Sequence, residues 1–318
     1  MAIKFVYALI SSEKDYYVEQ AAISMHTLRA YNPGCHITLV ANDDTLDTLT
    51  GNRSLIKNYV DEYVSVNPPA EFTPTQKNRF LKTTLRQNVE GDFLYVDNDT
   101  VITGSLKELD DLDCEMGAVL DHHTPLENNN QLKDYLRKTK KEFWNYNLYF
   151  NGGVLFVRDT ENTHKLFEDW HSIWDEDRIA YGISIDQPAF AQANARNKYM
   201  ISEINGIYNC QLFMPKASEY VYSAKIIHYY ANSRLASRYP FTDERLLKMV
   251  REQGLVRDGK DIALNLLLNY LRQCFIVRGE ELDLYNSPMA MFGRKLAQDY
   301  KWTNKPIRFI YRLFGYRL

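Results

Sequence analysis

The most informative stretch of the chain is residues 93–106, which read Phe93-Leu-Tyr-Val-Asp-Asn-Asp-Thr-Val-Ile-Thr-Gly-Ser-Leu106. Four apolar residues predict a buried strand, and Asp97 and Asp99 come directly after it. Because side chains two apart along an extended chain point the same way, both carboxylates can face one site. Two neighbouring anions repel, and Mg²⁺ or Mn²⁺, which prefer oxygen ligands, would relieve that repulsion. Aspartates at strand ends are also common without a metal, so the spacing alone leaves both interpretations open.

The residues before this stretch predict a parallel sheet. Strands at Lys4–Ile10 and His36–Ala41 enclose a helical pattern over about residues 16–31, and this β-α-β order is typical of parallel sheets. Ligands bind at the carboxyl ends of the strands in such sheets. We therefore expect the polar residues Ser11 and Asn42–Asp44 to lie at that edge.

Further elements follow along the chain. The pattern predicts helices near Asn78–Val89 and Thr163–Asp175, from Asp186 and after Pro240, and strands at Met116–Leu120, Leu148–Val157 and Ser223–His228. Thr242 and Asp243 can cap the helix after Pro240, and Gly254 can end it. We expect an α/β domain over residues 1–240 and a helical C-terminal region over residues 241–318.

The order of four motifs resembles one protein family. Residues 93–106, Asn151-Gly-Gly153, Asp186-Gln187 and His228 follow the signature of the family-8 retaining glycosyltransferases, a group that includes lipooligosaccharide galactosyltransferases, galactinol synthases and glycogenin. The likeness extends over roughly residues 3–235. It implies the GT-A fold, a Rossmann-like, mostly parallel central sheet flanked by helices, with a UDP-sugar donor and manganese bound by the D-x-D motif.

Three residues would form the metal site of such an enzyme. By the resemblance, Asp97, Asp99 and His228 bind Mn²⁺, with Mg²⁺ as the second choice, since a neutral imidazole favours Mn²⁺. His228 is one of seven histidines and follows a short apolar run, so its position alone indicates only a histidine that ends a strand. The family order makes it a candidate ligand.

Five further residues would surround the donor sugar. The resemblance assigns Asn151, Gly152 and Gly153 to the sugar lining, and Asp186 and Gln187 to the catalytic position beside the transferred sugar. From the residues alone, the glycines could instead mark a β-bulge, and Asp186 could cap the helix that follows it.

Positive charges are expected near the diphosphate. Arg79 corresponds to a family arginine that reaches the donor, and Arg234 replaces a family lysine and can bind phosphate with two hydrogen bonds. The loop around Arg234 lacks the family's Pro-Trp pair. Lys82 lies one helical turn beyond Arg79, and both residues could also be solvated helix charges.

The segment that would contact the base departs from the family pattern. The family has an Asp-x-Asn-Tyr type of sequence after the first strand, whereas this chain has Ser11-Ser-Glu-Lys-Asp-Tyr16. Our candidates for nucleotide contacts are Ala8, Ser11 and Tyr16, together with Asn98 between the two aspartates.

The composition is typical of a globular protein. The 318 residues include 38 basic and 41 acidic residues, a formal net charge of −3, and 45% hydrophobic residues, which argues against disordered, fibrous and nucleic-acid-coating proteins. The four cysteines lack metal-site spacing, and neither a secretory signal nor a membrane-spanning run is visible. We therefore expect a cytoplasmic protein.

The average charge conceals a basic C-terminus. Residues 294–318 hold seven basic residues and one acidic residue, a charge of +6, so the other residues (31 basic, 40 acidic) have −9. From Lys301 onward, basic residues alternate with aromatic and aliphatic ones, a pattern that lies on anionic membrane surfaces. We expect peripheral attachment at the inner face of the cell membrane. A helix packed on the acidic body is the other interpretation, and nucleic acid is not an expected partner.

Together these features predict a metal-dependent retaining transferase. It would move a hexose from UDP-galactose or UDP-glucose to a cell-surface glycan or a lipid-linked saccharide, as in lipopolysaccharide or polysaccharide synthesis. One alternative is a catalytically idle glycan-binding or scaffolding protein at the membrane surface. Another is a sugar nucleotidyltransferase, which would need a glycine-rich phosphate loop that residues 11–15 lack. Because no isolated glutamate is available as a nucleophile, we favour attack from the face of the leaving group.

Overall fold

The computed structural model describes residues 3–125, 130–142, 145–212, 214, 216–230, 240–257, 260–266, 287–299 and 306. The strands are β1 (Lys4–Leu9), β2 (Ile37–Ala41), β3 (Glu62–Ser65), β4 (Phe93–Val96), β5 (Thr100–Ile102), β6 (Met116–Leu120), β7 (Phe150–Val157), β8 (Ser202–Glu203), β9 (Cys210–Gln211), β10 (Ile226–His228), β11 (Val256–Arg257) and β12 (Lys260–Asp261). The α-helices are α1 (Tyr17–Tyr31), α2 (Asp43–Asp47), α3 (Pro74–Thr83), α4 (Leu85–Asn88), α5 (Asn130–Thr139), α6 (Glu161–Tyr181), α7 (Gln187–Arg196), α8 (Ala217–Tyr220), α9 (Glu244–Gln253) and α10 (Pro288–Asp299). Short 3₁₀ helices lie at Gly51–Asn58, Lys107–Asp111, Asp121–His123, Tyr146–Leu148, Gly206–Asn209 and Pro240–Thr242.

Seven strands form the central sheet in the order β3-β2-β1-β4-β7-β6-β8. The first four are parallel to one another, and β7 runs antiparallel between β4 and β6. β8 is parallel to β6, so β7 is the reversed strand of this sheet. The expected α/β class, a mostly parallel sheet flanked by helices, is therefore confirmed.

Alternation along β1 sends side chains to two layers of helices. Val6 and Ala8 belong to a buried cluster that includes Trp170 of α6 and Phe190 of α7. Tyr7 points the other way, and its hydroxyl lies 3.0 Å from the hydroxyl of Ser24 in α1. Because both faces of the sheet are covered, the carboxyl ends of its strands are the part left for a ligand.

A second sheet meets the first at the two aspartates. β5 begins at Thr100, directly after Asp99, and pairs antiparallel with β10, with Thr100 opposite His228. β9 completes this sheet in the order β5-β10-β9. The backbone N–H of Tyr229 also donates to the carbonyl of Asp99 at 3.1 Å. The chain thus crosses between the sheets at Asp97–Asp99, and the register of β10 brings His228 to the crossing.

The chain divides into two compact units, Met1–Tyr270 and Leu271–Leu318. The predicted domain boundary near residue 240 lies inside the first unit and stays a prediction. α9 begins after its cap Asp243 and ends at Gly254, as the capping pattern predicts. In the second unit the structure describes α10. No helix among the described residues combines the length and the hydropathy needed to cross a bilayer.

Candidate active site

A cleft of about 420 Å³ opens at the carboxyl ends of β1, β4 and β10. Nine of the residues predicted for the site line it: Arg79, Asp97, Asn98, Asp99, Asn151, Gly153, Asp186, Gln187 and His228. The cleft is also lined by residues that the motifs do not mark: Ile10, Tyr17, Gln20, Pro74, Thr75, Asn78, Lys82, Met214 and Tyr230.

Asp97, Asp99 and His228 form a group that could hold a metal ion. One ligand atom from each lies within 4.8 Å of the others. Nε2 of His228 is 3.2 Å from Oδ1 of Asp99 and 4.0 Å from Oδ2 of Asp97. Ligands about 2.1 Å from one ion are themselves roughly 3 to 4 Å apart, so the spacing fits a small divalent cation. Burial opposes protonation of His228, but the two carboxylates outweigh it and raise the pKa of the imidazole.

A hydrogen bond to Asn209 orients the imidazole of His228. Nδ1 lies 3.2 Å from Oδ1 of Asn209, a carbonyl oxygen that can only accept, so Nδ1 is the donor there and Nε2, beside the two aspartates, is the nitrogen that could bind a metal ion once it has lost its proton. The ring stacks on Tyr230 with centroids 4.1 Å apart. Asn209 is fully buried at the end of a 3₁₀ helix, outside any motif, and sequence reasoning missed it.

The side-chain amide of Asn151 makes four hydrogen bonds within the protein. Its Nδ2 donates to Oδ1 of Asp121 at 2.9 Å and to the Tyr230 hydroxyl at 3.0 Å. Its Oδ1 accepts from the Gly153 N–H and from Nδ2 of Asn209, both at 2.9 Å. Asn151 therefore holds the residues that surround the imidazole, and its predicted bond to a sugar hydroxyl stays a prediction.

Gly152 and Gly153 lie where the pairing of β7 with β6 shifts register, as the β-bulge interpretation expects. A Cβ atom on Gly153 would overlap the imidazole of His228. A Cβ atom on Gly152 would lie 3.3 Å from Nζ of Lys82. Both glycines thus make room for side chains of the site, and their contact with a sugar stays a prediction.

Asp186 pairs with cations although it occupies the N-cap position of α7. Its side chain makes no capping hydrogen bond. Oδ1 lies 3.0 Å from Nε of Arg79, and Oδ2 lies 3.9 Å from Nζ of Lys82. Asp186 raises the pKa of the Arg79 guanidinium. The adjacent Gln187 hydrogen-bonds to the buried Tyr149, so both predicted catalytic side chains are held in place.

Lys82 is a buried cation of this cleft, with 3% of the residue exposed. Its Nζ lies 3.3 Å from Oδ1 of Asp97 and 5.1 Å from the ring centroid of Tyr95. The Tyr95 hydroxyl donates to the same carboxylate oxygen, and burial, together with Asp97, raises the pKa of Tyr95 well above its usual range. The solvated-charge interpretation of Lys82 is therefore wrong, and Arg79 and Lys82, one helical turn apart, both line the cleft.

The candidates for base contacts lie in different environments. The buried Ala8 accepts a hydrogen bond at its carbonyl from Nδ2 of Asn98 at 2.8 Å. Ser11 is also buried, and its hydroxyl donates to Asp15 at 2.5 Å. Tyr16 packs against a guanidinium rather than the cleft. Among the described residues near β1, the cleft is lined by Ile10, Tyr17 and Gln20.

Some predicted residues fall outside the part of the chain that the structure describes. Arg234 is one of them, and the basic and aromatic tail over residues 301–318 is another, apart from Pro306. The expected phosphate contact of Arg234 and the membrane contact of the tail stay predictions.

Comparisons with known proteins agree with this arrangement of motifs. The family model described as Glycosyl transferase family 8 matches residues 9–234. A search of curated proteins gives no match to this chain. The solved galactosyltransferase LgtC, in complex with donor and acceptor sugar analogues, is similar with a TM-score of 0.51 and 16% identity, over 80% of this chain and 98% of LgtC.

Two more solved structures are similar to this chain. An active-site mutant of LgtC has a TM-score of 0.51 at 16% identity, over 82% of this chain and 100% of its own. Mouse xyloside xylosyltransferase 1 has a TM-score of 0.49 at 12% identity, over 71% of this chain and 97% of its own. At such identities the likeness to the LgtC structures concerns the fold.

Proposed function

The chain belongs to glycosyl transferase family 8, and from that membership we propose that it is a metal-dependent, retaining enzyme that transfers a hexose from a UDP-sugar. The observation that carries the proposal is the meeting of Asp97, Asp99 and His228 within 4.8 Å in a cleft that Asp186 also lines. A chain that only bound glycans would not need this group of ligands beside a buried carboxylate paired with two cations.

The donor set fits a divalent cation of the manganese type. Two carboxylates and one imidazole, with Nε2 of His228 freed by the Asn209 hydrogen bond, suit Mn²⁺ better than Mg²⁺. When bound, such an ion would neutralise the diphosphate as it leaves the sugar. The side chains of Asp97, Asp99 and His228 would hold it.

The charged side chains of the cleft would bind the diphosphate and determine how the acceptor attacks. Arg79 and Lys82 line the cleft, and their positive charges would attract the diphosphate. Asp186 is paired with both of them, which lowers its nucleophilicity and supports attack from the face of the leaving group. In that reaction the bond from the anomeric carbon to the β-phosphate oxygen breaks. An acceptor oxygen then bonds to the anomeric carbon from the face that the leaving group occupied. The acceptor proton passes to the β-phosphate oxygen.

UDP-galactose and UDP-glucose are the donors that we propose. They differ in the direction of one hydroxyl, and a site discriminates such donors through hydrogen bonds to that group. Asp186 and Gln187 line the cleft and have the chemistry to make those bonds, whereas the amide of Asn151 would first have to give up one of its four hydrogen bonds within the protein. The acceptor would be a cell-surface glycan or a lipid-linked saccharide.

The first test is release of UDP from a panel of UDP-sugars with and without Mn²⁺. We expect release only with the metal, and a loss of roughly 10²-fold or more in Asp97→Asn and Asp99→Asn, the range seen when one electrostatic stabiliser is removed. Asp47→Asn, at an exposed aspartate of α2, is the matched control and should retain full activity. UDP release at the same rate without Mn²⁺ and in both variants would contradict the proposal. Glycan binding without any UDP release would favour the catalytically idle alternative.

A peripheral position at the inner face of the cell membrane is part of the proposal. The charge of +6 on residues 294–318 supports it, because anionic lipid attracts such a segment. α10 adds exposed apolar side chains at Met289 and Phe292, of which 79% and 59% are exposed. An exposed apolar group next to basic residues is typical of segments that lie in a membrane interface.

A further inference from the structure

Arg251 of α9 contacts the loop that follows β1, although it is about 240 residues away in sequence. Its Nε and Nη2 donate to the two carboxylate oxygens of Glu19 at 2.7 and 3.0 Å, a bidentate pair. Glu19 lies in the first turn of α1 and is fully buried. The pair therefore ties the C-terminal part of this unit to the start of α1.

The same guanidinium also binds the loop backbone. Nη1 of Arg251 donates to the carbonyl of Glu13 at 3.1 Å, and Nη2 donates to the carbonyl of Asp15. Its plane lies 4.5 Å from the ring centroid of Tyr16. Glu19 and the other neighbours raise the pKa of Arg251, so it keeps its charge. All three nitrogens of the Arg251 guanidinium thus donate hydrogen bonds to residues 13–19.

A second arginine holds the other half of the loop. Nη1 of Arg53 donates to the carbonyl of Ser12 at 2.5 Å, and Nη2 donates to the Ser11 hydroxyl at 2.7 Å. Arg53 is 6% exposed and comes from the 3₁₀ helix after α2. The loop is therefore held by two arginines from separate elements, the buried Arg53 and the partly exposed Arg251.

The first turn of α1, which follows this loop, brings Tyr17 and Gln20 to the cleft. Tyr17 is 36% exposed, which leaves a face of its ring available. Gln20 is 6% exposed, and its Oε1 is buried without a hydrogen-bond partner among the described residues. Leaving a buried acceptor unpaired is costly. An aromatic ring and an unpaired amide oxygen in one cleft wall fit a planar heterocycle with an N–H donor, as in the base of a nucleotide.

We propose that Arg251 is a positioning residue for the donor nucleotide, which it serves by fixing the first turn of α1 so that Tyr17 and Gln20 face the base. The inference rests on the proposed function, because the nucleotide is the one that the transferase would use. It assigns α9 a task in donor binding even though no residue of α9 lines the described cleft.

The test is the affinity for UDP in the presence of Mn²⁺, measured by calorimetric titration of the full chain well below the midpoint of thermal unfolding. We expect Arg251→Met to raise the dissociation constant at least ten-fold and Arg251→Lys to raise it less, because lysine keeps the charge but loses the forked geometry. The KM for the donor should rise in parallel, while kcat at saturating donor changes less than about three-fold. Arg245→Met is the matched control, since Arg245 lies on the same helix, pairs with Asp243 in solvent and should bind UDP normally.

A second variant separates positioning from folding. Arg251→Met leaves the buried Glu19 carboxylate unpaired, whereas Glu19→Gln combined with Arg251→Met removes that charge and should fold more stably. We expect weak UDP binding in both variants, because both lose the bonds to the Glu13 and Asp15 carbonyls. Normal UDP affinity in either folded variant would overturn the inference. Absence of UDP binding by the unmodified chain would instead overturn the proposed function.

Discussion

At Gly153 the backbone passes so close to the imidazole of His228 that a side chain has no room. An added Cβ atom would overlap ring atoms of His228 and come within 2.9 Å of the Asn151 amide oxygen. At Gly152 the nearest atom would be Nζ of Lys82, 3.3 Å away, which is the mobile end of a long side chain. Two adjacent glycines therefore differ in what an added methyl group would displace.

We expect Gly153→Ala to displace His228, weaken Mn²⁺ binding roughly ten-fold or more, and lower the free energy of unfolding by about 1–3 kcal/mol. Gly152→Ala is the matched control and should change both quantities much less, because Lys82 can shift. Titration with Mn²⁺ followed by paramagnetic resonance, and thermal unfolding without metal, would measure the two effects. Equal Mn²⁺ affinities of the two variants would count against this role of Gly153.

Residues in motifs could be predicted, and residues placed by the tertiary fold could not. Asp97, Asp99 and His228 occur in a recognisable order, and the structure brings them together. Asn209 lies in no motif, and its importance depends on the ring of His228 that it orients. Tyr17 differs from the predicted Tyr16 by one position, because the start of α1 decides which of two adjacent tyrosines faces the cleft.

The bounds of strands and helices could be predicted where the sequence has a continuous apolar run or a recognisable helix cap. β4 and β6 match their predicted bounds, since each is a continuous apolar run. α3 begins at Pro74, four residues before the predicted start, because Thr73 and Gln76 form a capping box and Pro74 lies in the first turn. The short β5 and β9 depend on pairing with β10 and have no periodicity that a sequence could reveal.

The C-terminal segment is the element with the clearest expected partner outside the protein. We expect the full chain to float with vesicles of anionic phospholipid and a chain truncated at residue 300 to remain in the dense fraction. Neutralising Arg308, Arg312 and Arg317 to Gln should weaken binding about a hundred-fold, at about 1 kcal/mol for each charge. Vesicles of neutral lipid are the control. A truncated chain that still floats would favour the other interpretation, a tail helix packed on the acidic body.

In the molecule as a whole, His123 links the seven-stranded sheet to the three-stranded sheet. It follows β6, and its Nε2 accepts a hydrogen bond from the backbone N–H of Gln211 in β9 at 2.9 Å. Its Nδ1 is buried and has no hydrogen-bond partner in the described part of the chain. Burial, with His122 and Lys216 nearby, lowers the pKa of His123 to about 4.

This pKa predicts a loss of stability in acid. Above pH 6.5, the ordinary value, His123 is neutral in both states, whereas between 6.5 and about 4 the unfolded chain binds a proton that the folded chain does not. The free energy of unfolding should therefore decrease as the pH is lowered through that range. In His123→Gln this decrease should be smaller by on the order of 2–3 kcal/mol. Urea unfolding at pH 7 and pH 4.5 would measure it, with His36→Gln, at an exposed histidine, as the control. An unchanged pH dependence in His123→Gln would contradict this account.

The crossing between the two sheets also determines when the group of possible metal ligands can assemble during synthesis. His228 follows Asp97 by 131 positions, so a growing chain contains both aspartates long before the histidine leaves the ribosome. The metal-binding group described above is complete only after β10 has added to β5, which makes it a product of late, long-range folding. The proposed divalent cation would therefore stabilise the finished fold without directing early folding. Fragments released before this point lack the histidine and, under the proposed function, would transfer no sugar.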